Sequence, residues 1–383
     1  MAPLNLRDLD LVGLQRVLAG YGVGESDARR VFAAVQRDGS HKVEEWTWLS
    51  KASRQSLAAD AVFPELSVIE RRRASDGFVK YLFRLPDGNL IEGVRIPLPD
   101  PDDARALKER RRRGEAAGLV ALPTAKYTLC ISSQAGCSLG CAFCATGRMR
   151  PRGGVRNLET WEMLDQVRVM RDEAEHPVRG VLFLGMGEPL LNYDNVMGAA
   201  RILSHPAGLA ISADAISIST VGVAPAIRRL TAERHRFRLI ISLAAATAEA
   251  RRSLMPAEKT WPLSEVMDAV RGYAAANRGR VTFAYVGISG VNMARQDAAD
   301  LARLLHGLRA KITLIDVNDD SGRYRPPSQE EVNQFRGELL AHKIPVVRRY
   351  AGGREIGAAC GTLAATQRGG EILGPGQNRS GAT

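Results

Sequence analysis

No stretch of this 383-residue sequence is apolar over the length that a membrane-spanning helix needs. Such a helix takes about 20 consecutive apolar residues to cross the bilayer. The N-terminus also lacks a basic flank followed by an apolar run, which is the pattern of a secretory signal. We therefore exclude an integral membrane protein and expect a cytoplasmic protein with no membrane partner.

Cysteine is scarce, with five residues in the whole sequence, and four of them lie between Cys130 and Cys144. The reducing cytoplasm disfavours structural disulfides, so the small proteins that depend on disulfides for their fold are excluded. Cysteines that are clustered in such a compartment more often bind a metal or take part in catalysis.

Acidic residues are in the minority. The 42 Asp and Glu residues are outnumbered by 53 Lys and Arg residues, which gives a formal net charge of +11. An excess of positive charge favours a polyanionic partner, although solubility alone would explain part of it. Among such partners, composition favours nucleic acid.

The clustered cysteines have a spacing that is typical of an inorganic centre. Cys137, Cys141 and Cys144 form a Cys-x3-Cys-x2-Cys triplet on a loop interrupted by glycine. Four cysteines would suit structural zinc, whereas three thiolates on a four-iron cube leave one iron open to a substrate or cofactor. The alternatives are a zinc site completed by a distant His, or reduced core cysteines, which need no such spacing.

Residues 1–66 are predicted to form a small helical N-terminal domain. Apolar residues recur at helical spacing around Leu14 and again around Phe32, and the glycine-rich stretch 20–24 separates the two groups. No strand clearly precedes these glycines, so a linker between helices is favoured over a phosphate-binding turn. The basic residues of this domain indicate either an RNA contact or a solvated face.

Residues 67–126 are predicted to form a linker that carries a hairpin. The pattern changes to a period of two over 79–85 and 90–97, with an Asp-Gly turn between the two strands. Glu92 in the second strand is either an exposed residue of the alternation or a proton acceptor. Beyond the hairpin, Arg110 to Arg113 form the densest basic run, either a solvated loop or a phosphate clamp.

Residues 127–366 alternate between strand and helix patterns. Apolar strands are predicted at 127–132, 180–185, 215–219, 239–243, 280–286, 311–316 and 346–349. Helices are predicted between them, for example at 158–173, 195–203, 262–276, 294–308 and 329–342. This α/β alternation implies a parallel sheet closed partly or wholly into a barrel, with active residues at the carboxyl ends of its strands. The Gly-rich tail, 367–383, is predicted to be disordered.

Polar groups recur at the predicted strand ends. Gly185 begins a Gly-Met-Gly-Glu-Pro turn, in which exposed backbone and the Glu188 carboxylate would bind an ammonium group. Ser219, Ser242 and Asn318 follow at later strand ends, which predicts that hydroxyl and amide groups line one ligand. Far along the chain, Cys360 is flanked by small residues that would let a substrate approach.

These motifs resemble a known family. The cysteine triplet is similar to the iron–sulfur motif of the radical S-adenosylmethionine (SAM) superfamily, and 185–189 is similar to its motif for the SAM amino group. The stretches 130–137, 187–192, 254–256, 312–318 and 358–363 together resemble the RlmN/Cfr family of RNA adenine methyltransferases. The resemblance covers about residues 4–366 and implies a partial (βα) radical SAM barrel.

The resemblance implies a set of cofactors. A [4Fe-4S] cluster would be bound by Cys137, Cys141 and Cys144. S-adenosylmethionine would be bound at Gly187, Glu188, Ser219, Ser242, Leu243 and Asn318. Where the family usually has Ser-Leu-His, this chain has Ser-Leu-Ala, so Ala244 removes one side-chain contact to SAM.

The resemblance also implies a mechanism. One SAM would methylate Cys360, and a second would supply the radical that activates this methyl group for addition to adenine. Cys130 would release the product by forming a disulfide with Cys360, and Glu92 would accept a proton. The implied substrate is adenine C2 of 23S rRNA, with tRNA as a second candidate. An external electron donor such as flavodoxin and a monomeric state are also expected.

Two alternatives are kept open. The segments 216–222 and 283–285 are somewhat closer to relatives that methylate adenine C8 and confer antibiotic resistance, and the Arg-rich insertion leaves room for a different RNA target. A non-catalytic RNA-binding protein with a structural cluster is the alternative from another class. Cys130 and Cys360 argue against it, because a structural cluster needs neither.

Overall fold

One sheet of ten strands organises the part of the chain that the computed structural model describes. These residues are 3–100, 102, 103, 105, 123–277, 281–319, 321–349, 352–363, 367, 368, 371 and 372. The predicted insertion at Arg110 to Arg113 lies outside them. So does most of the predicted disordered tail.

The N-terminal residues form three helices and two short strands, which we call the helical module. Its elements are β1 (Leu4–Asn5), α1 (Leu11–Ala19), α2 (Glu25–Gln36), α3 (Lys51–Asp60) and β2 (Ala61–Val62). The Asp10 carboxylate begins α1 by accepting a hydrogen bond from the Gly13 N–H, and the Ser50 hydroxyl begins α3 in the same way. Strands β1 and β2 pair in parallel and close the module.

The predicted hairpin is part of a three-stranded antiparallel unit. Its strands are β3 (Ser67–Arg73), β4 (Val79–Arg84) and β5 (Leu90–Pro99). The turn between β4 and β5 contains Gly88 at a φ of +82°, and the Asp87 carboxylate accepts a hydrogen bond from the Asn89 N–H. Strand β3 was not predicted. Strand β5 also pairs with the first strand of the barrel, so the hairpin continues the central sheet.

The remaining strands follow the predicted βα alternation, and each of the seven predicted strands occurs. They are β6 (Thr124–Ile131), β7 (Gln134–Ala135), β8 (Arg156–Asn157), β9 (Val178–Phe183), β10 (Ile216–Thr220), β11 (Arg238–Ser242), β12 (Val281–Gly287), β13 (Ala310–Asp316), β14 (Val346–Arg348), β15 (Gln367–Arg368) and β16 (Glu371–Ile372). The short pairs β7–β8 and β15–β16 stand outside the main sheet.

The main sheet has the order β14-β13-β12-β11-β10-β9-β6-β5-β4-β3. Strands from β14 to β6 are parallel, and the last three are antiparallel. Within the described residues, β3 and β14 each pair on one side only, so the sheet stays open. The predicted fold class, a partial α/β barrel, is therefore confirmed.

Seven helices accompany the barrel strands in the described residues. They are α4 (Thr160–Asp172), α5 (Tyr193–Ser204), α6 (Ala224–Ala232), α7 (Ala248–Leu254), α8 (Leu263–Asn277), α9 (Arg295–Leu304) and α10 (Gln329–Ala341). Five of them were predicted, and α6 and α7 were not. The helices cover strands whose side chains are fully buried, such as Ile218, Ile241 and Phe283. Among the described residues, no helix combines the length and apolar character needed to cross a membrane.

The helical module packs directly on the barrel. The Asp8 carboxylate accepts a hydrogen bond from the Trp161 N–H at 2.9 Å, in the first turn of α4. The Asp165 carboxylate, on the same helix, accepts one from the Leu66 N–H at 2.7 Å. Arg7 is buried against Asp165, with 3.6 Å between the charged atoms. Apolar residues of the module and the barrel form one continuous core.

Candidate active site

A cavity of about 590 Å³ opens at the carboxyl ends of the parallel strands. Strand β5 and the parallel strands from β6 to β13 all contribute to its wall. The residues predicted to bind the cluster or SAM all line it: Cys137, Cys141, Cys144, Gly187, Glu188, Ser219, Ser242, Leu243 and Asn318. Cys130 and Cys360 line it as well, so all five cysteines of the sequence meet at one place.

The loop that carries the cysteine triplet is held from two sides. The Ala142 N–H donates to the Leu254 carbonyl at 2.9 Å, at the end of α7. The Ala145 N–H donates to the Gly361 carbonyl at 2.8 Å, which joins the loop to the segment that contains Cys360. These backbone bonds fix the loop on the cavity wall independently of its side chains.

Burial acts on two thiols of the triplet. It raises the pKa of Cys137 to about 11 and raises that of Cys141 further, and the neighbouring Cys144 adds to both shifts because like charges repel. A bound cationic centre reverses this preference, because metal ligation stabilises the thiolate. Binding of such a centre would therefore be coupled to loss of the thiol protons.

The donor set fits an iron–sulfur cluster. In the described part of the chain, no three His, Cys, Asp or Glu side chains are grouped closely enough to hold one metal ion. A cube of four irons is larger than an ion, and each of its thiolates binds a different iron. Three thiols that line one cavity can provide one ligand for each of three irons of such a cube.

The Gly185-Met-Gly-Glu-Pro turn follows β9 and is fitted closely to the cysteine loop. The Gly185 N–H donates to the Ile131 carbonyl at 3.0 Å, and the Glu188 N–H donates to the Gln134 side chain at 2.8 Å. Gly187 has a φ of +99°, and a Cβ there would lie 2.6 Å from the Gln134 Cβ. Only glycine fits this position without displacing the loop.

Glu188 presents a buried carboxylate to the cavity. Its two oxygens accept hydrogen bonds from the Leu190 N–H at 3.0 Å and the Val221 N–H at 2.9 Å. Burial nevertheless raises the pKa of Glu188 to about 7, since these bonds only partly replace the lost water. A ligand cation would stabilise the charged form, so the site suits an ammonium group.

The backbone that contacts Glu188 is itself anchored by Arg251 on α7. This fully buried side chain forms an ion pair with Glu258 and donates to the Val221 carbonyl at 2.8 Å and the Trp261 carbonyl at 3.0 Å. Arg251 was not predicted as a site residue. Its helix was not predicted either, and an arginine beside a second arginine gives no sign of burial in the sequence.

The polar strand ends lie on the same wall. The hydroxyl oxygens of Ser219 and Ser242 are 3.3 Å apart, across neighbouring strands. The Asn318 amide donates to the Asp316 carbonyl at 3.0 Å and to the Cys360 carbonyl at 3.4 Å. Asn318 therefore faces the cysteine segment as well as the cavity.

Ala244, where the family usually has histidine, is buried on the cavity wall. Its carbonyl accepts a hydrogen bond from the Asn292 amide at 2.7 Å, and Asn292 also donates to the Val286 carbonyl at 2.7 Å. The backbone at this strand end is thus fixed by an amide from the β12–α9 loop. An apolar group, Leu254 with Met255, packs beside Ala244.

Cys130 and Cys360 approach the cavity from different elements. Cys130 is on β6, and burial raises its pKa to about 12, with a further rise from the nearby Cys360 and an opposing effect from Arg349. Both thiols are free in the structure, so the predicted disulfide is not observed. Arg349 also lines the cavity and was not predicted as a site residue.

The segment that carries Cys360 is held by hydrogen bonds at both of its ends. The Gly353 N–H donates to the Asp76 carboxylate at 2.9 Å, and the Leu363 carbonyl accepts from the Thr146 hydroxyl at 2.6 Å. These contacts join the antiparallel end of the sheet to the cluster loop.

Glu92, predicted as the proton acceptor, does not line the cavity. It lies on β5, two residues before Val94, which does line it. The Glu92 carboxylate is buried and forms an ion pair with Lys80 on β4, with 2.9 Å between the charged atoms. The Ser132 hydroxyl donates to the Glu92 carbonyl at 2.6 Å and holds this strand against the cysteine loop.

Known proteins resemble this chain over nearly its full length. A family model for the radical SAM superfamily matches residues 131–302. A "probable RNA methyltransferase" of Myxococcus xanthus (strain DK1622) is 48% identical over 97% of each chain. The "dual-specificity RNA methyltransferase RlmN" of Syntrophobacter fumaroxidans is 39% identical over 95% of this chain and 99% of its own. A crystal structure of a radical SAM methyltransferase from Sphaerobacter thermophilus has a TM-score of 0.80 at 36% identity, covering 94% of this chain and 99% of that one.

Proposed function

Because the chain belongs to the RlmN family of radical SAM RNA methyltransferases, we propose that it methylates carbon 2 of an adenine in 23S rRNA, with tRNA as a second substrate. The observation that carries this proposal is the meeting of all five cysteines on one cavity wall. A structural cluster would need only three of them.

The cofactors are held by separate parts of the cavity. Cys137, Cys141 and Cys144 would hold a [4Fe-4S] cluster, and S-adenosylmethionine would lie along the strand ends from Gly187 to Asn318. When bound, the two together supply a carbon-centred radical that can abstract hydrogen from an unactivated methyl group. Glu188 would bind the SAM amino group, since it offers a buried carboxylate on the cavity wall.

Radical chemistry is required by the target atom. Carbon 2 of adenine is electron-poor and its hydrogen is not acidic, so neither direct attack on a methyl cation donor nor deprotonation is practicable. In the proposed reaction the Cys360 sulfur first carries the methyl group, and this carbon then bonds to adenine. The enzyme and the RNA are thereby joined through Cys360 until the adduct is resolved.

Cys130 is the proposed resolving residue. Addition of the carbon radical to adenine leaves one unpaired electron, which would return to the iron–sulfur cluster that gave one electron to SAM, and a proton leaves the adenine carbon. The Cys130 thiolate then attacks the Cys360 sulfur, a sulfur–sulfur bond forms as the bond from that sulfur to carbon breaks, and the released CH2 carbon takes up a proton to become the methyl group. Both thiols line the same cavity, and the Cys360 thiol raises the pKa of Cys130, which supports this role. The positive charge of Arg349 favours the thiolate. Glu92 would accept the proton.

The proposal also includes the carbon that is methylated and the partners of the enzyme. The RlmN-named relatives favour C2, whereas the segments 216–222 and 283–285 keep C8 as the alternative. We propose that the enzyme acts as a monomer in the cytoplasm and takes electrons from a small redox protein of the flavodoxin type.

Mass spectrometry of nucleosides tests the proposal. Ribosomal RNA and tRNA lacking the modification are incubated anaerobically with reconstituted enzyme, SAM and reductant, then digested and compared with standards for 2-methyladenosine and 8-methyladenosine. The expected product is 2-methyladenosine. The 8-methyl product would move the enzyme to the alternative branch. Cleavage of SAM without either product would leave the radical chemistry in place and contradict the proposed substrate.

A further inference from the structure

A buried ion pair lies beside the cavity on its antiparallel side. The Lys80 ammonium and the Glu92 carboxylate are 2.9 Å apart, and their side chains are only 8% and 5% exposed. They belong to neighbouring strands, β4 and β5, whose register places Leu82 opposite Glu92 and Lys80 opposite Val94. The pair is therefore diagonal on one face of the sheet.

That face is the cavity face. Val94 and Ile96, which alternate with Glu92 along β5, both line the cavity. The other face of β5 is packed against α4, since a Cβ on Gly93 would lie 3.1 Å from the Met170 methyl carbon. Val94 is also paired with Cys130 on β6. Glu92 is therefore the next residue on the same face of β5 as Val94, the residue that is paired with the resolving cysteine Cys130.

Stability is a weak explanation for the pair. Removing two charges from water is costly, and apolar residues of similar volume often stabilise a fold as well or better. A buried carboxylate without a cation would take up a proton instead. Such a neutral group cannot act as a base. An adjacent ammonium group allows a base to be buried and still charged.

We propose that Lys80 is a positioning residue for the methyl transfer, which holds the Glu92 carboxylate ionised and oriented beside the cavity so that it can take the proton from the target carbon. This inference rests on the proposed function. In the step concerned, the carbon–hydrogen electron pair returns to the adenine ring and the proton goes to a Glu92 oxygen. Glu92 becomes a neutral carboxylic acid. The proton transfer itself moves no electron to the protein, and the unpaired electron left by radical addition would return separately to the cluster that gave one electron to SAM.

Three substitutions test this role: Lys80→Met, Lys80→Arg and Glu92→Gln. With Lys80→Met, SAM is still cleaved and Cys360 still methylated, but methyladenosine formation falls roughly a hundredfold, the scale of losing a general base. The covalent adduct between protein and RNA accumulates, because resolution waits for the proton to leave. Lys80→Arg restores a cation and keeps product formation within a few fold. The adduct is measured as a shifted band on a denaturing gel.

The double variant Lys80→Met/Glu92→Gln separates positioning from structure. It buries neither an unpaired charge nor a lone carboxylate, so it should fold. If Lys80 acts only through Glu92, the double variant is no slower than Glu92→Gln, since interacting sites are not additive. The matched control is Arg95→Met, which removes a buried cation from the opposite face of β5. The protein–RNA adduct should not accumulate in this variant.

The outcomes are distinct. A normal rate with Lys80→Met overturns the inference, as does a double variant much slower than Glu92→Gln or a loss of Cys360 methylation with Lys80→Met. A normal rate with Glu92→Gln overturns both this inference and the proposed role of Glu92. Absence of methyladenosine with the unaltered enzyme refutes the proposed function itself.

Discussion

At the scale of single residues, the charge of Glu188 depends on conditions close to neutrality. Its pKa is raised to about 7 by burial, so the carboxyl becomes neutral as the pH falls below that value. Only the charged form attracts an ammonium group. We expect the Kd of the holoenzyme for SAM to rise roughly fivefold from pH 7 to pH 6, because the ionised fraction of the carboxyl falls from about a half to about a tenth. Equilibrium binding across this range measures the effect.

The control for Glu188 is the isosteric change Glu188→Gln. This variant should bind SAM weakly and with no dependence on pH between 6 and 8, because the amide does not titrate. A SAM affinity that varies with pH equally in both proteins would show that another group is responsible.

Substitution of each of the two cysteines outside the triplet should stop the reaction at a different step. Cys360→Ala removes the proposed methyl carrier, so we expect no methyladenosine and no adduct. Cys130→Ala leaves the carrier and removes the resolving thiol, so the adduct with RNA should accumulate. Denaturing gels and nucleoside mass spectrometry report the two results. Methylation by Cys360→Ala would refute the carrier role, and a Cys130→Ala enzyme without adduct would refute the resolving role.

The residues proposed to bind the cofactors could be predicted from their spacing in the sequence. The residues that hold them in place through hydrogen bonds could not. Three thiols within one loop, or a glutamate in a glycine-rich turn, carry a local pattern. The contact of Gln134 with Glu188 joins residues far apart in sequence, and so does the contact of Arg251 with Val221. Such contacts follow from the register of the parallel strands. The ion pair of Glu92 with Lys80 was missed because it depends on the register of the antiparallel strands β4 and β5.

At the scale of elements, Arg251 on α7 couples helix packing to the SAM site. Arg251→Met would leave Glu258 buried without its cation, which costs roughly 3–5 kcal/mol for a buried pair. We expect a clearly lower thermal unfolding midpoint and weaker SAM binding, since the Val221 carbonyl loses its donor. Calorimetry and equilibrium binding measure the two effects.

The double change Arg251→Met/Glu258→Leu distinguishes these effects. Replacing both charges with apolar side chains should recover most of the stability, whereas SAM binding should stay weak. Recovery of both together would mean that the Val221 contact does not matter for the ligand.

Strands and helices were predicted correctly where the hydrophobic pattern of the sequence was clear. The seven barrel strands are apolar runs between turns, and their periods leave little ambiguity. Helix α6 was missed because Pro225 resembles a breaker, yet it stands in the first turn, where proline is tolerated. Strand β3 was missed because it is charged. Charged side chains are common on an edge strand, which presents unpaired backbone groups to solvent.

At the scale of the whole molecule, the helical module and the barrel share one hydrophobic core. Arg7 and Asp8 bind α4, and α4 also supplies Gln166, which bonds the Ser132 backbone at the start of the cysteine loop. The module is therefore joined through one helix to the wall of the cavity. Separate motion of the two parts would expose this shared core to water.

The net charge of +11 should be used in binding RNA, and its densest part is the run from Arg110 to Arg113. Each contact with single-stranded phosphate contributes about 0.7 to the slope of log affinity against log salt. Replacing the four arginines by serine should weaken RNA binding at low salt and reduce that slope by up to about 3. Fluorescence anisotropy of a ribosomal RNA fragment at several salt concentrations measures both.

A matched control separates a local clamp from bulk charge. Arg179, Arg234, Arg236 and Arg238 are exposed at the amino ends of β9 and β11, away from the cavity at the carboxyl ends. Replacing these four by serine changes the net charge by the same amount. If the run is a phosphate clamp, its replacement should flatten the salt dependence much more than the control does. Equal effects would mean that the enzyme attracts RNA through its overall field, and an unchanged slope in both would place the phosphate contacts elsewhere.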